Sequence, residues 1–364
     1  MKQNLRRLER MSASLYQSLL SLTFDLLADN LAQLARIDYL HHVRAFQKET
    51  ITVLSIFGTV ISLKWALDAS FFFHTYCLHR SKIHRYNHVS PDGSPAWALV
   101  TGAAGGIGYE IVRELARKGF KVVLHGRAEQ DLLAAMMRVH DEFPDQNFKM
   151  LVADPTALGT RGFFYRQSYG NWRMERKLDL ETIRNELSKL NLTVLVNCAN
   201  AEAGHTDLVR ILDENEKSIW KHVNSDALYP IQLFRALLPT LIGNAPSLII
   251  HVTSLSDKGI PLKIATSASR SFVSRMTQSS ALEMKLEGYD LESLCVRVSR
   301  RMGQTDSTLA RAIIARVGSR RSVVVGHWYQ YLYKGLVDRL PGWLWDWWII
   351  HCIRGKRDGI SEGS

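Results

Sequence analysis

The feature that most constrains this chain is a glycine-spaced turn, Thr101-Gly102-Ala103-Ala104-Gly105-Gly106-Ile107-Gly108. It stands between the apolar run Trp97 to Val100 and a helix-like stretch from Tyr109 to Lys118. A strand that folds this tightly into a helix needs backbone without side chains. The helix N-terminus then offers its free N–H groups and the positive end of its dipole to an anion. Glycines at these positions let a pyrophosphate approach the main chain. Three glycines alone would say little, but a strand before them and a helix after them make the signal specific.

Further short apolar runs recur at Val122 to Leu124, Met150 to Val152, Val194 to Val196, Leu248 to Val252 and Leu294 to Val298. Longer helix-like stretches separate them, the alternation of a parallel sheet with crossover helices. The pattern predicts an α/β Rossmann-type doubly wound parallel sheet over residues 96–325. An N-terminal helical, membrane-associated region with a basic connector precedes it over 1–95, and an aromatic, basic segment follows over 326–364. The stretch Gly159 to Lys177, rich in Arg and aromatics, reads as an inserted surface loop or a gene-prediction error.

In the N-terminal region, Leu15, Leu19, Leu22, Leu26, Leu27, Leu31 and Leu34 fall at three- and four-residue spacings with Asp25 and Asp29 between them. This predicts an amphipathic helix, whose packing on protein is favoured over membrane-surface binding. Ile51 to Leu63 is the most apolar uncharged run here, and its thirteen residues cover only about 20 Å as a helix. Extending it to Phe73 brings in Lys64 and Asp68, one turn apart and able to pair, so a membrane span and a surface-lying helix both stay open. His79-Arg80-Ser81-Lys82-Ile83-His84-Arg85-Tyr86 follows, a basic connector of the kind found on the cytoplasmic side of an anchor. It reads as a solvated linker, and its histidines with Cys77 lack the paired spacing of a zinc site, so no metal is expected.

Composition narrows the class. Forty-six Lys and Arg against 35 Asp and Glu give a formal net charge of +11, which calls for a polyanionic partner. Hydrophobic residues at 46% with only 9 Pro exclude collagen, low-complexity disorder and a polytopic bundle. The four cysteines, Cys77, Cys198, Cys295 and Cys352, lie too far apart for a disulfide scaffold. The basic residues are scattered with no organising motif, so nucleic acid is not expected.

The spacing Gly102, Gly106, Gly108, with Ile107 between the last two, resembles the TGxxxGxG pattern of the short-chain dehydrogenase/reductase superfamily over roughly 240 residues. Ala98 to Gly102, Arg113 to Phe120 and Val122 to Arg127 are most similar to the very-long-chain 3-oxoacyl-CoA reductases and their 17β-hydroxysteroid dehydrogenase relatives, fungal members above all. The resemblance implies a nicotinamide cofactor. No acid follows the second strand, which ends His125-Gly126-Arg127, so Arg127 is the candidate for the 2′-phosphate and NADP the expected cofactor. Asp154 matches the family's adenine-contacting aspartate, Asn197 its strand-end asparagine, and Thr305 the threonine that meets the nicotinamide carboxamide. Asn200 replaces a glycine of that family.

The catalytic positions depart from the pattern. Carbonyl reduction in the superfamily uses a tyrosine as proton donor, a lysine four residues on, a serine that orients the carbonyl and an asparagine that anchors a relay water. Ser254 stands at the serine position. The family's Tyr-Ser-Ala-Ser-Lys-x-Phe-Val aligns with Thr266-Ser267-Ala268-Ser269-Arg270-Ser271-Phe272-Val273, so tyrosine has become Thr266 and lysine Arg270. The asparagine position falls on Asp226, with Asn224 two residues earlier, and Arg300-Arg301 replace a Pro-Gly. An aliphatic hydroxyl is a far weaker acid than a phenol, and a guanidinium stays protonated, so the standard proton relay is lost. Arg270 can still hold ribose hydroxyls, and Asp226 is a substitute acid only if burial raises its pKa.

Trp328, Trp343, Trp345, Trp347 and Trp348 crowd the C-terminal tenth beside Arg354, Lys356 and Arg357, fitting a membrane interface, a cover over an acyl pocket, or both. The reading is of an NADP(H)-binding oxidoreductase relative for hydrophobic, lipid-like carbonyl substrates, with activity in doubt. The alternative is a pseudoenzyme that regulates or scaffolds lipid metabolism. The resemblance implies an endoplasmic-reticulum membrane location, cytoplasmic face, and leaves homo-oligomers open.

Overall fold

In a computed structural model, the described residues are 15, 17–29, 39–157, 180–198, 208–255, 259–300 and 303–361. The predicted insert at 159–177, Asn200 and Arg301 lie outside them, as does part of the predicted amphipathic helix; residues 17–29 of that helix are helical. The chain divides into two compact units, Met1–Phe72 and Phe73–Ser364.

The second unit is built on a seven-stranded, wholly parallel sheet. Its strands are β1 (Trp97–Thr101), β2 (Lys121–Gly126), β3 (Phe148–Val152), β4 (Leu192–Asn197), β5 (Ser247–Ser254), β6 (Leu291–Val298) and β7 (Val323–Val325). The order β3-β2-β1-β4-β5-β6-β7 reverses direction between β1 and β4, and doubly wound sheets bind ligands at the strand ends of such a switch point. All six strands read from the sequence are present. The three-residue β7 was not legible, being too short to carry a pattern.

Side chains alternate across the sheet, and the sequence supplies apolar groups to both faces. Ala98, Val100, Val122, Leu124, Val194, Val196, Ile250 and Val296 pack on one side against α2 (Gly106–Arg117), α3 (Glu129–Glu142) and α8 (Asp306–Ala315). Leu99, Val123, Leu195 and Ile249 face the other way, toward α4 (Leu180–Leu187), α6 (Tyr229–Gly243) and α7 (Ile264–Leu286). A short α5 (Glu216–Val223) runs through a wide helical turn, Asn224–Leu228, into α6. Asn215 caps α5, its side chain accepting from the Lys217 N–H.

Upstream, α1 (Tyr39–Phe73) continues into a wide turn, His74–Leu78. Within it Glu49–Leu78 is long and apolar enough to cross a membrane. The basic connector is not the solvated linker expected from its charge. Ile83 and Tyr86 are buried in the core, the Tyr86 hydroxyl donates to Glu292 at 2.5 Å, and the Thr193 hydroxyl donates to the Tyr86 carbonyl at 2.7 Å. Two apolar side chains among the cations dock the segment, while Arg85 reaches outward to Asp290. His79 contacts the Val317 carbonyl at 2.9 Å, and His88, two residues past the connector, contacts that of Pro246 at 3.2 Å. At the other end, α9 (Trp328–Arg339) and α10 (Gly342–Ser361) close the chain.

Candidate dinucleotide and catalytic site

The glycine turn joins β1 to α2 at the switch point. Gly102 and Gly106 have φ of 68° and 58°, in the left-handed region that favours glycine. A Cβ on Gly108 would collide with the Gly102 carbonyl oxygen, so only glycine lets the helix start this close to the turn. The Ala103 N–H donates to the His125 carbonyl at 3.0 Å, tying the turn to β2. The Thr101 hydroxyl accepts from the Cys198 N–H at 3.0 Å, tying it to β4. Ile107 is buried on α2 and anchors the helix behind the turn.

Around this turn stand the other candidates for the cofactor. Arg127 is exposed just past the end of β2. Asp154 follows β3 and accepts from the backbone N–H and hydroxyl of Thr156 at 3.0 and 2.9 Å. The Thr156 carbonyl in turn accepts from the Asn224 amide at 3.0 Å, so the loop after β3 is tied to the turn that carries Asp226. Thr305 caps α8, its hydroxyl accepting from the Thr308 N–H at 3.3 Å. Asn197 ends β4 with its amide against His251 Nδ1 at 3.2 Å.

The four catalytic candidates gather at the adjoining end of β5. Arg270 donates from Nη1 to the Ser254 hydroxyl at 3.0 Å, so the guanidinium in the lysine position engages the serine directly. Thr266 is buried in the first turn of α7. Asp226 is buried in the wide turn before α6, accepting from the Ser225 hydroxyl at 2.9 Å. Asp226 and Arg270 line one small cavity with Thr101, Asn197, Tyr229 and His251. At about 20 Å³ it has room for a water molecule.

Two of those lining residues, Tyr229 and His251, and His125 behind Tyr229, were not singled out from the sequence. His125, Tyr229 and His251 are fully enclosed, with the Tyr229 hydroxyl 2.9 Å from His125 Nε2 and the two rings stacked. Burial lowers both histidines from 6.5 to about 4, Asp154 opposing the shift at His125, and raises the Tyr229 phenol. Both imidazoles are therefore neutral at pH 7. Among the described residues, His251 Nε2 and the Asn197 carboxamide oxygen have no hydrogen-bond partner, leaving polar valences beside the cavity. The signal was a histidine interrupting the apolar strand Leu248-Ile249-Ile250-His251, where a buried imidazole is costly unless something uses it.

The residues present fit a dinucleotide. Gly108 leaves no space for a Cβ, the α2 N-terminus faces the switch point, and Asn197 offers an orphaned acceptor at the same edge. Such a cofactor would supply a hydride; the chain would supply the phosphate cradle at Gly102 to Gly108 and the groups at Ser254 and Arg270 that meet the reacting end.

This arrangement defines a nucleotide-binding α/β fold of the oxidoreductase type. The family model "short chain dehydrogenase" matches residues 96–162. The very-long-chain 3-oxoacyl-CoA reductase of Anas platyrhynchos is 27% identical over 237 residues, covering 62% of this chain and 70% of that protein. Hydroxysteroid dehydrogenase-like protein 1 of Gallus gallus is 23% identical over 274 residues, covering 71% of this chain and 76% of its own length. Among solved structures, the fold matches an NADPH-bound short chain oxidoreductase from Pseudomonas aeruginosa PAO1, described as containing an atypical catalytic center. That likeness has a TM-score of 0.50 at 20% identity, over 64% of this chain and 95% of that one. The chain is thus similar to members of the short-chain dehydrogenase/reductase superfamily in its glycine-turn region and over most of its sheet domain.

Proposed function

We propose that this chain is a membrane-associated, NADP(H)-binding member of that superfamily, descended from reductases of hydrophobic carbonyl compounds, in which standard Tyr/Lys catalysis has been lost. One observation carries the reading: the glycine turn keeps its left-handed glycines and its Gly108–Gly102 approach, while Thr266 and Arg270 stand in the donor and lysine places and Arg270 is bonded to Ser254. Arg127, exposed where NAD-selecting relatives carry an acid, supports NADP over NAD. The relatives named very-long-chain 3-oxoacyl-CoA reductase support a long acyl or similarly apolar carbonyl as ligand.

The proposal gives each site residue a role. Gly102, Gly106, Ile107 and Gly108 hold the pyrophosphate through backbone N–H groups, Arg127 the 2′-phosphate, Asp154 the adenine side, Asn197 and Thr305 the nicotinamide side. Arg270 donates to ribose hydroxyls and Ser254 orients the carbonyl. Thr266 cannot deliver a proton at useful rates, which costs about 10² to 10⁴ in turnover. Binding without turnover suits a regulatory or scaffolding role beside an active reductase. The second reading, residual reduction with Asp226 as the acid, draws on the burial of that carboxyl in the cavity it shares with Arg270.

Membrane association is supported by where the candidate span ends. Its last turn docks on the sheet domain, where Arg316 donates to the Thr75 carbonyl and the Tyr76 hydroxyl donates to the Val325 carbonyl. The Tyr76 ring lies 5.3 Å from that of Tyr331 on α9. Helices α9 and α10 then present Trp328, Leu332, Leu336, Trp343 and Trp347 to solvent, at least half of each exposed. Tryptophans beside the end of a span suit the headgroup layer. These contacts support a reading in which the protein sits at an endoplasmic-reticulum-type membrane, with residues 96–325 on its cytoplasmic side, 1–95 as anchor and connector, and 326–364 as interfacial tail.

The test is NADPH binding by fluorescence on purified protein, paired with NADPH oxidation over a panel of hydrophobic ketones and 3-oxoacyl-CoAs. Binding with no oxidation upholds the reading. Turnover abolished by Asp226→Asn favours the second, and no binding defeats both.

A further inference from the structure

We infer that Arg300 is a ligand for the cofactor's pyrophosphate, held at the glycine turn by Asp306 until the dinucleotide arrives; this rests on the dinucleotide reading above. Arg300 follows β6 by two residues, far in sequence from the turn, yet its guanidinium fills the space beside Gly106. A Cβ built on Gly106 would strike Arg300 Nη2, and Asp306 Oδ2 lies 3.6 Å from the same point. Arg300 Nε is 2.8 Å from Asp306 Oδ1, at the first position of α8. Cys198, at the end of β4, is reached electrostatically by both partners, which places the ion pair at the β1/β4 switch point.

The chemistry of the turn explains what such a cation does there. Backbone N–H groups and a helix dipole give an anion site of partial charges only, whereas a pyrophosphate carries two full negative charges. A guanidinium adds a full positive charge and paired donors that match phosphate oxygens. The side chains of Arg300 and Asp306 are 48% and 37% exposed, so their mutual attraction is weak and a phosphate displaces the carboxylate readily. Asp306 therefore competes with the ligand. Arg127, just past the C-terminal end of β2, is assigned a different group, the 2′-phosphate that only NADP(H) carries, whereas Arg300 is assigned the part common to every dinucleotide.

Calorimetric titration of the full-length protein in detergent with NADPH, NADH and ADP-ribose tests this without any turnover. Arg300→Ala is expected to weaken all three alike, by about ten- to hundredfold. Asp306→Asn is expected to tighten all three, while Arg127→Ala weakens NADPH alone. Melting temperatures of the variants confirm that each is folded. If Arg300→Ala binds unchanged or more tightly, Arg300 is no ligand and the inference falls while the dinucleotide reading stands. If the wild-type protein binds none of the three probes, both fall together.

Discussion

Two neighbouring stretches of the same sheet edge differ in how closely they keep the pattern of the reductases they resemble. At the β1–α2 turn, function depends on backbone shape: left-handed φ at Gly102 and Gly106, and a contact at Gly108 with no room for one carbon. At the β5–α7 side the proposed function depends on side-chain chemistry, and there Thr266 and Arg270 are accommodated within the fold. Thr266 is buried in α7, and Arg270 finds Ser254 as an acceptor. A backbone cradle cannot change without breaking the fold, but a phenol and an amine can be exchanged within it at little structural cost. On the proposed reading, the fold protects binding more firmly than it protects catalysis.

The comparison can be broken most sharply by rebuilding the altered half. Thr266→Tyr with Arg270→Lys is expected to raise NADPH-dependent ketone reduction by about 10² to 10⁴, read as absorbance loss; no gain would mean that the cavity around Asp226 and Tyr229 has closed around the new residues. Acid is expected to strike both halves through His125 on β2 and His251 on β5. Burial depresses each from 6.5 to about 4, so the unfolded chain takes up their protons first. Their contribution is complete above about pH 6.5 and is lost as pH falls toward 4, roughly 3 kcal/mol per histidine at the limit. Thermal melts from pH 7 to 4 should therefore show a steep fall, less steep in His251→Gln.

Smaller effects separate the halves. Gly108→Ala should cost about 2 to 3 kcal/mol of stability, because its neighbour is backbone and cannot swing away. NADPH binding should fail with it, whereas Thr266→Ala leaves binding unchanged. Arg127→Ala should weaken NADPH about tenfold and NADH not at all, measured by fluorescence titration.

Much of this was legible in the sequence because it is local. The turn and six strands announce themselves by glycine spacing and apolar runs, and the flanking Ser267, Ala268, Phe272 and Val273 fix the register that exposes Thr266 and Arg270. What escaped depends on contacts between distant segments. Nothing near Gly106 foretells that Arg300 lies beside it, nor near His125 that Tyr229 closes over its ring. The connector misled for a different reason: its five Arg, Lys and His residues outnumber Ile83 and Tyr86, yet those two side chains decide where it packs.

The account stands or falls on one titration followed in the same cuvette: NADPH fluorescence on adding protein, then on adding a long-chain 3-oxoacyl-CoA. The expected result is an enhanced, saturable NADPH signal that the acyl-CoA leaves undiminished over hours. A signal that decays on adding the acyl-CoA, at a rate proportional to protein concentration, would contradict it by showing that hydride transfer survives without the tyrosine and the lysine.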